Sequence, residues 1–192
     1  MASNIRRALT LVPDEARGFW SIADVQYLSA AQMQDVGGSY RAISRMQIEL
    51  LASRVSALNQ CTYSTTSHVA WLRVSGENTE TELDYDAVTG GATAGDTGVE
   101  SGALLIEFAE AVLDRDNSRL EVARRAIVAA IGEDGLVDAA SVVGLFCGVD
   151  RVADATGTPL EDEKAEKTAD LRAKIGIDAF AETKAALETD VA

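Results

Sequence analysis

An all-helical fold is what this sequence predicts, and three observations carry the prediction. Only two prolines interrupt 192 residues. Long stretches are built from Ala, Leu, Glu, Gln and Arg, which favour helix. The apolar residues recur at helical spacing, while strand-like alternation is scarce. A mass of 20.3 kDa suits one compact domain, and 47% hydrophobic with 25% charged residues is the mixture of a globular protein.

The expected helices, in order, span residues 22–36, 39–58, 62–74, 101–114, 118–131 and 136–156, with two more, 161–173 and 178–188, in a C-terminal tail. Ser39 and Asn117 are expected N-caps, because a short polar side chain satisfies the free N–H groups of a first turn. Gly37, Gly38 and Gly157 mark stops. Residues 76–98, with Gly90, Gly91, Gly95 and Gly98 among threonines and acids, form the one long irregular connection. Such connections serve as lids or interface loops, or are partly mobile. Residues 1–160 are therefore expected to form one helical domain. Residues 161–192 form a charged helical tail carrying all four lysines, Lys164, Lys167, Lys174 and Lys184. The i, i+4 pairs Glu163–Lys167 and Asp170–Lys174 suit a surface or subunit-wrapping helix.

Charge and composition exclude several functions. Seventeen basic residues against 31 acidic ones leave a net charge of −14, so nucleic acid and anionic membrane surfaces are poor partners. No run of about 18 apolar residues occurs, and the apolar stretch within residues 1–13 is too short for a signal peptide; a cytoplasmic protein is expected. Cys61 and Cys147 do not make a disulfide framework. One histidine and two distant cysteines do not supply a zinc site, and no metal or cofactor is expected.

The chemistry-bearing residues concentrate between Glu49 and His68. In a helix starting near Cys61, a step of about 100° per residue places Ser64, His68, Trp71 and Leu72 within about 80° of Cys61. One face thus carries a thiol, a hydroxyl, an imidazole and an indole. The free N–H groups and dipole of the helix N-terminus would favour a thiolate or oxyanion near Cys61 and Ser64. On the preceding helix Glu49 shares a strip of mostly small residues with Ala42, Met46, Ser53 and Ser56, through which its carboxylate could meet the next helix. Spacing alone also admits packing roles. A lone histidine is often structural, a cysteine among helices is often a small buried hydrophobe, and Tyr63, Trp71 and Cys147 read as packing residues.

The order Glu49, twelve positions to Cys61, three to Ser64 and four to His68 resembles the alkylhydroperoxidase D and carboxymuconolactone decarboxylase superfamily, in particular its peroxidase-related branch. There a Glu precedes C-x-x-C-x-x-x-H. Phe146, Arg151 and Ala153 to Gly157 resemble the closing helix of that branch, and Glu107-Phe108-Ala109 fits the helix after its variable loop. The resemblance covers approximately residues 19–160. It implies an all-α, alkylhydroperoxidase D-like helical bundle that assembles with copies of itself as a homotrimer or homohexamer, and a small-molecule substrate. It also implies a site made of Glu49, Cys61, Tyr63, Ser64 and His68. In peroxidase members the second cysteine attacks peroxide and the first resolves the sulfenic acid. Ser64 stands in the attacker's place here, and a serine supports no sulfenate and disulfide cycle.

The resulting expectation is a peroxidase-related oxidoreductase scaffold in which Glu49 and His68 relay protons to the Cys61/Ser64 pair, with redox turnover impaired or lost. Ser64 could be an introduced substitution. The alternative is a cofactor-free acid–base lyase or isomerase on a small organic acid, with Glu49 or His68 as base and Tyr63 or Ser64 holding the developing oxyanion. A third reading is a non-catalytic oligomeric binding protein.

Overall fold

The computed structural model describes residues 3–180, and all described secondary structure is helical. Ten α-helices follow one another: α1 (Asn4–Leu9), α2 (Pro13–Gln26), α3 (Ala30–Gln34), α4 (Arg45–Leu58), α5 (Thr62–Asn78), α6 (Asp86–Gly90), α7 (Gly102–Asp114), α8 (Asn117–Ala155), α9 (Asp162–Lys167) and α10 (Ala169–Ile175). A 3-10 turn, Gly91–Ala94, follows α6. The expected helix 178–188 lies mostly outside the described residues.

Local chemistry explains where the boundaries depart from expectation. The single helix expected over 22–36 is two. Pro13 opens α2 at a position that needs no N–H, followed by Asp14 and Glu15 in the first turn. Ser29 and Gln32 then form a reciprocal capping box that starts α3. Ser44, not Ser39, caps α4: its hydroxyl accepts from the Gln47 amide at 3.3 Å while Gln47 accepts from the Ser44 amide at 2.8 Å. Asp116, not Asn117, caps α8, accepting from the amides of Ser118 and Arg119. The break expected between 131 and 136 falls inside α8 at Gly132, whose φ of +81° is left-handed and open to glycine without strain.

α4 is the central helix, packed against α5, α7 and α8, and nearly every residue from Arg45 to Ala57 is buried. One apolar cluster joins α4 to α2, α7 and α8 through residues such as Leu51, Val55, Leu105, Ile127 and Phe146. A second joins Leu50, Val69, Leu72 and Ile106 to Leu171, Ile175 and Ile177 of the C-terminal segment. Asp170 does not pair with Lys174 along its own helix; its carboxylate meets Arg73 at 3.0 Å and ties α10 to α5. Glu163 and Lys167 do pair, at 2.6 Å on the surface. The irregular connection expected over 76–98 is shorter and partly helical, since α5 runs on to Asn78 and α6 and the 3-10 turn follow; Arg54 pins it by donating to the carbonyls of Val88 and Thr89, both at 3.0 Å, and Arg54 also donates to Glu110 at 2.9 Å. No helix of the described residues is long and apolar enough to cross a membrane.

Candidate functional site

The tight turn between α4 and α5 brings the two motif helices face to face. Asn59 ends α4, Gln60 takes a left-handed φ of +55°, and Cys61 is the N-cap of α5. Glu49, in the middle of α4, has no exposed surface. Its Oε1 accepts from Tyr27 Oη at 2.5 Å and from Arg45 Nε at 2.6 Å, and its Oε2 lies 2.7 Å from His68 Nδ1 on α5. Burying a carboxylate is costly unless it is paired and hydrogen-bonded. Arg45, one turn earlier, supplies the charge, and its guanidinium lies over the Trp71 ring at 5.1 Å. Burial, and then the neighbouring Glu49 charge, push the Tyr27 hydroxyl well above its usual range, so it stays protonated and donates.

This arrangement orients the imidazole. A carboxylate already accepting two hydrogen bonds requires a proton on His68 Nδ1, which leaves the Nε2 lone pair directed away from Glu49. The ring is held edge-on against Phe146, with centroids 4.4 Å apart, and against Tyr27 at 5.5 Å. His68 and Ser64 line a cavity of about 410 Å³ together with the aromatic side chains of Trp20, Tyr27, Trp71 and Phe146 and the charged ones of Arg6, Asp24 and Lys164.

Cys61 behaves unlike a helix-terminal thiol in water. It is fully buried, and burial, reinforced by the charge of Asp150, pushes it up to about 11. The desolvation outweighs the favourable amide and Ser64 contacts, so the thiolate expected from the helix N-terminus does not form near neutrality. Its Sγ donates to Ser64 Oγ at 3.6 Å. Cys147 is half-buried and packs beside the first apolar cluster.

Tyr63 reaches the cavity wall, but its hydroxyl serves the frame: it donates to Glu161 at 2.9 Å and accepts from the Ile5 amide at 3.4 Å. That leaves it badly placed to hold a developing oxyanion. Glu161 also takes the Asn4 amide and Lys164 Nζ. Burial opposes its charge, yet the contacts with Lys164, the Asn4 amide and Tyr63 hold its carboxyl at about 2 against an ordinary 4.5. A carboxyl so depressed stabilises the fold above its ordinary value, and that contribution is lost as the pH falls from about 4.5 toward 2. Amide protection in α1 is expected to fall across that window. Glu161→Gln should remove the acid dependence; an unchanged profile in the variant would assign it to other carboxyls.

Three residues of the site escape the motif. Arg45 is legible in hindsight, four residues before Glu49 on one helix face. Tyr27 carries no local signal, because it lies 22 residues from Glu49 just beyond the end of α2. Asp150, fully buried on α8, accepts from Ser56 at 3.0 Å and Asn59 at 2.8 Å. Among the described residues no group of three or more His, Cys, Asp or Glu is arranged to hold a metal ion.

No protein-family model matches the sequence, and no curated protein matches it. The chain is similar to a solved structure, the alkylhydroperoxidase AhpD core of a peroxidase-related protein from Ralstonia eutropha JMP134. The TM-score is 0.65 and the identity 23%, over 85% of this chain and 80% of that one. The alkylhydroperoxidase D-like helical fold implied by the motif is the fold observed.

Proposed function

We propose that this chain is a peroxidase-type relay scaffold whose two-cysteine redox cycle is lost, and that its Glu49–His68 couple performs cofactor-free proton transfer. The substrate is a small, largely apolar molecule with an acidic C–H or O–H bond. The observation that carries this reading is the buried Glu49 carboxylate 2.7 Å from His68 Nδ1. It fixes the tautomer in which Nε2 is the base, and it stabilises the imidazolium formed when Nε2 takes a proton. Arg45 and Tyr27 hold Glu49, and Tyr27, Trp71 and Phe146 line the cavity into which the imidazole is set.

The resemblance to a peroxidase-related protein supports the scaffold. Ser64 and the buried, protonated Cys61 speak against peroxide reduction. Two assays on the purified chain separate the readings. In deuterated water, a panel of small apolar β-keto acids and lactones should exchange or lose a carbon-bound group, while alkyl peroxides should be consumed no faster than without protein. Peroxide turnover with no proton exchange would overturn the acid–base reading.

We also propose that the chain associates with itself. Ile22 and Val25 on α2 and Val122 and Val137 on α8 are all at least half exposed, and contact between copies through these helices would take them out of water. Light scattering at micromolar concentration should give a mass that is a multiple of 20.3 kDa; a monomer would count against the proposal.

A further inference from the structure

The cavity that holds His68 and Ser64 has a wall of uneven strength. On α2, α5 and α8 it is core: Ala23, Tyr63, Phe146 and Val149 are buried in the main apolar cluster. α1 also forms part of the wall, through Ser3, Ile5 and Arg6, yet Ile5 is its one buried residue. Arg6, Asp24 and Gln34 are exposed as well as lining, so the mouth lies beside α1. We propose that α1 is a flap at this mouth, latched shut by Glu161, and that molecules reach His68 when the flap swings out about residues 10–12.

α1 depends on other elements for its first turn. A helix of six residues is not stable alone, and its N-cap Ser3 makes no side-chain bond to it. The Asn4 amide donates instead to Glu161 Oε1 at 2.5 Å, and the Ile5 amide to Tyr63 Oη at 3.4 Å. Asn4 Nδ2 adds a bond to the Pro159 carbonyl at 3.0 Å. The shortest ties of the flap therefore run through Asn4, and the charge-assisted one ends on Glu161. The post that receives them is fixed without α1. Glu161 accepts from Tyr63 and pairs with Lys164 at 2.7 Å, Lys164 donates to Ser67 at 3.0 Å, and Arg73 donates to the Lys167 carbonyl at 2.8 Å. Between α1 and α2, Leu11 and Val12 are exposed, so no packing has to be undone at the joint. α3, the other short helix at the rim, is capped from within by Ser29 and Gln32. The flap governs access to the cavity whatever reaction His68 serves, and so goes beyond the acid–base reading.

His68 is the one histidine of the chain, and its Nε2 is the ring nitrogen that Glu49 does not hold. Its acylation by diethyl pyrocarbonate, read by peptide mass spectrometry on the full chain, therefore reports access without turnover. Asn4 is the first residue of α1, a position that tolerates proline. Asn4→Pro deletes the amide that Glu161 holds, whereas Asn4→Ala deletes the side-chain bond alone. Acylation is expected to run about tenfold faster than the parent in Asn4→Pro, the factor for one hydrogen bond to a charged group, and within about threefold of it in Asn4→Ala. Amide exchange in α1 should quicken in step, while α3 and the α4–α5 core exchange as in the parent. Glu161→Gln, which keeps an acceptor without its charge, is the second variant should proline prevent folding; a smaller rise is expected. Unchanged α1 exchange overturns the latch. Quickened α1 exchange with unchanged acylation overturns α1 as the entrance, and quickened exchange in α3 as well shows general loosening and overturns it too. Because acylation needs no substrate, failure of the proton-exchange assays would tell against the acid–base reading alone.

Discussion

Glu49→Gln is expected to lower proton-transfer turnover by about 10²–10⁴-fold, the range attached to a positioned general base. The reason lies in which end of the amide goes where. Arg45 Nε and Tyr27 Oη both donate to one oxygen of Glu49, so the glutamine carbonyl takes that side and its NH2 group faces His68 Nδ1. Nδ1 must then accept, the imidazole proton moves to Nε2, and the cavity meets a donor where it had a base. Nitrogen-15 spectra of His68 should show this exchange of tautomer directly. The variant also strands Arg45 beside a neutral side chain with 7% of its surface exposed. Removing one partner of a buried ion pair costs about 3–5 kcal/mol, so the denaturation midpoint should fall as well. A variant with unchanged turnover and unchanged histidine tautomer would remove Glu49 from the mechanism.

What the sequence made legible was periodic or local. The helices between residues 100 and 156 follow its pattern closely, down to the break at Gly132, whereas the single helix expected over 161–173 divides at Thr168 into α9 and α10. The 49–61–64–68 spacing brings Glu49 to His68, because a short turn joins two helices whose apolar faces must meet. The N-terminal third was harder to read. Capping hydrogen bonds chose Ser44 over Ser39, and two short helices, α1 and α3, depend on tertiary contacts that no period announces. Asp150 lies inside a segment whose likeness to the peroxidase-related branch was visible, yet its partners Ser56 and Asn59 stand 94 and 91 residues away. The Cys61 environment was misjudged for an energetic reason. A helix N-terminus is easily seen in a sequence, whereas the burial and neighbouring carboxylate that outweigh it arise only in the assembled core.

Ser64→Cys is expected to restore peroxide chemistry to this scaffold. Cys61 Sγ and Ser64 Oγ are 3.6 Å apart, and a disulfide of about 2.05 Å is reached from there by small side-chain rotations within one helical turn. The introduced thiolate attacks one oxygen of the peroxide, the O–O bond breaks, and an alcohol leaves while the sulfur becomes a sulfenic acid. Cys61, as thiolate, then attacks that sulfur and expels hydroxide, which leaves as water after taking up a proton. Each peroxide reduced therefore consumes two thiols, and a dithiol reductant returns both. The second step should be the slower, since Cys61 is held at about 11. Its rate should rise about tenfold per pH unit between 7 and 10, following the thiolate fraction. Mass spectrometry after mild peroxide treatment should find the bridge between positions 61 and 64 and leave Cys147 reduced. If the variant consumes peroxide no faster than the parent and forms no such bridge, the likeness to peroxidase-related proteins extends to the fold and stops short of the thiol geometry.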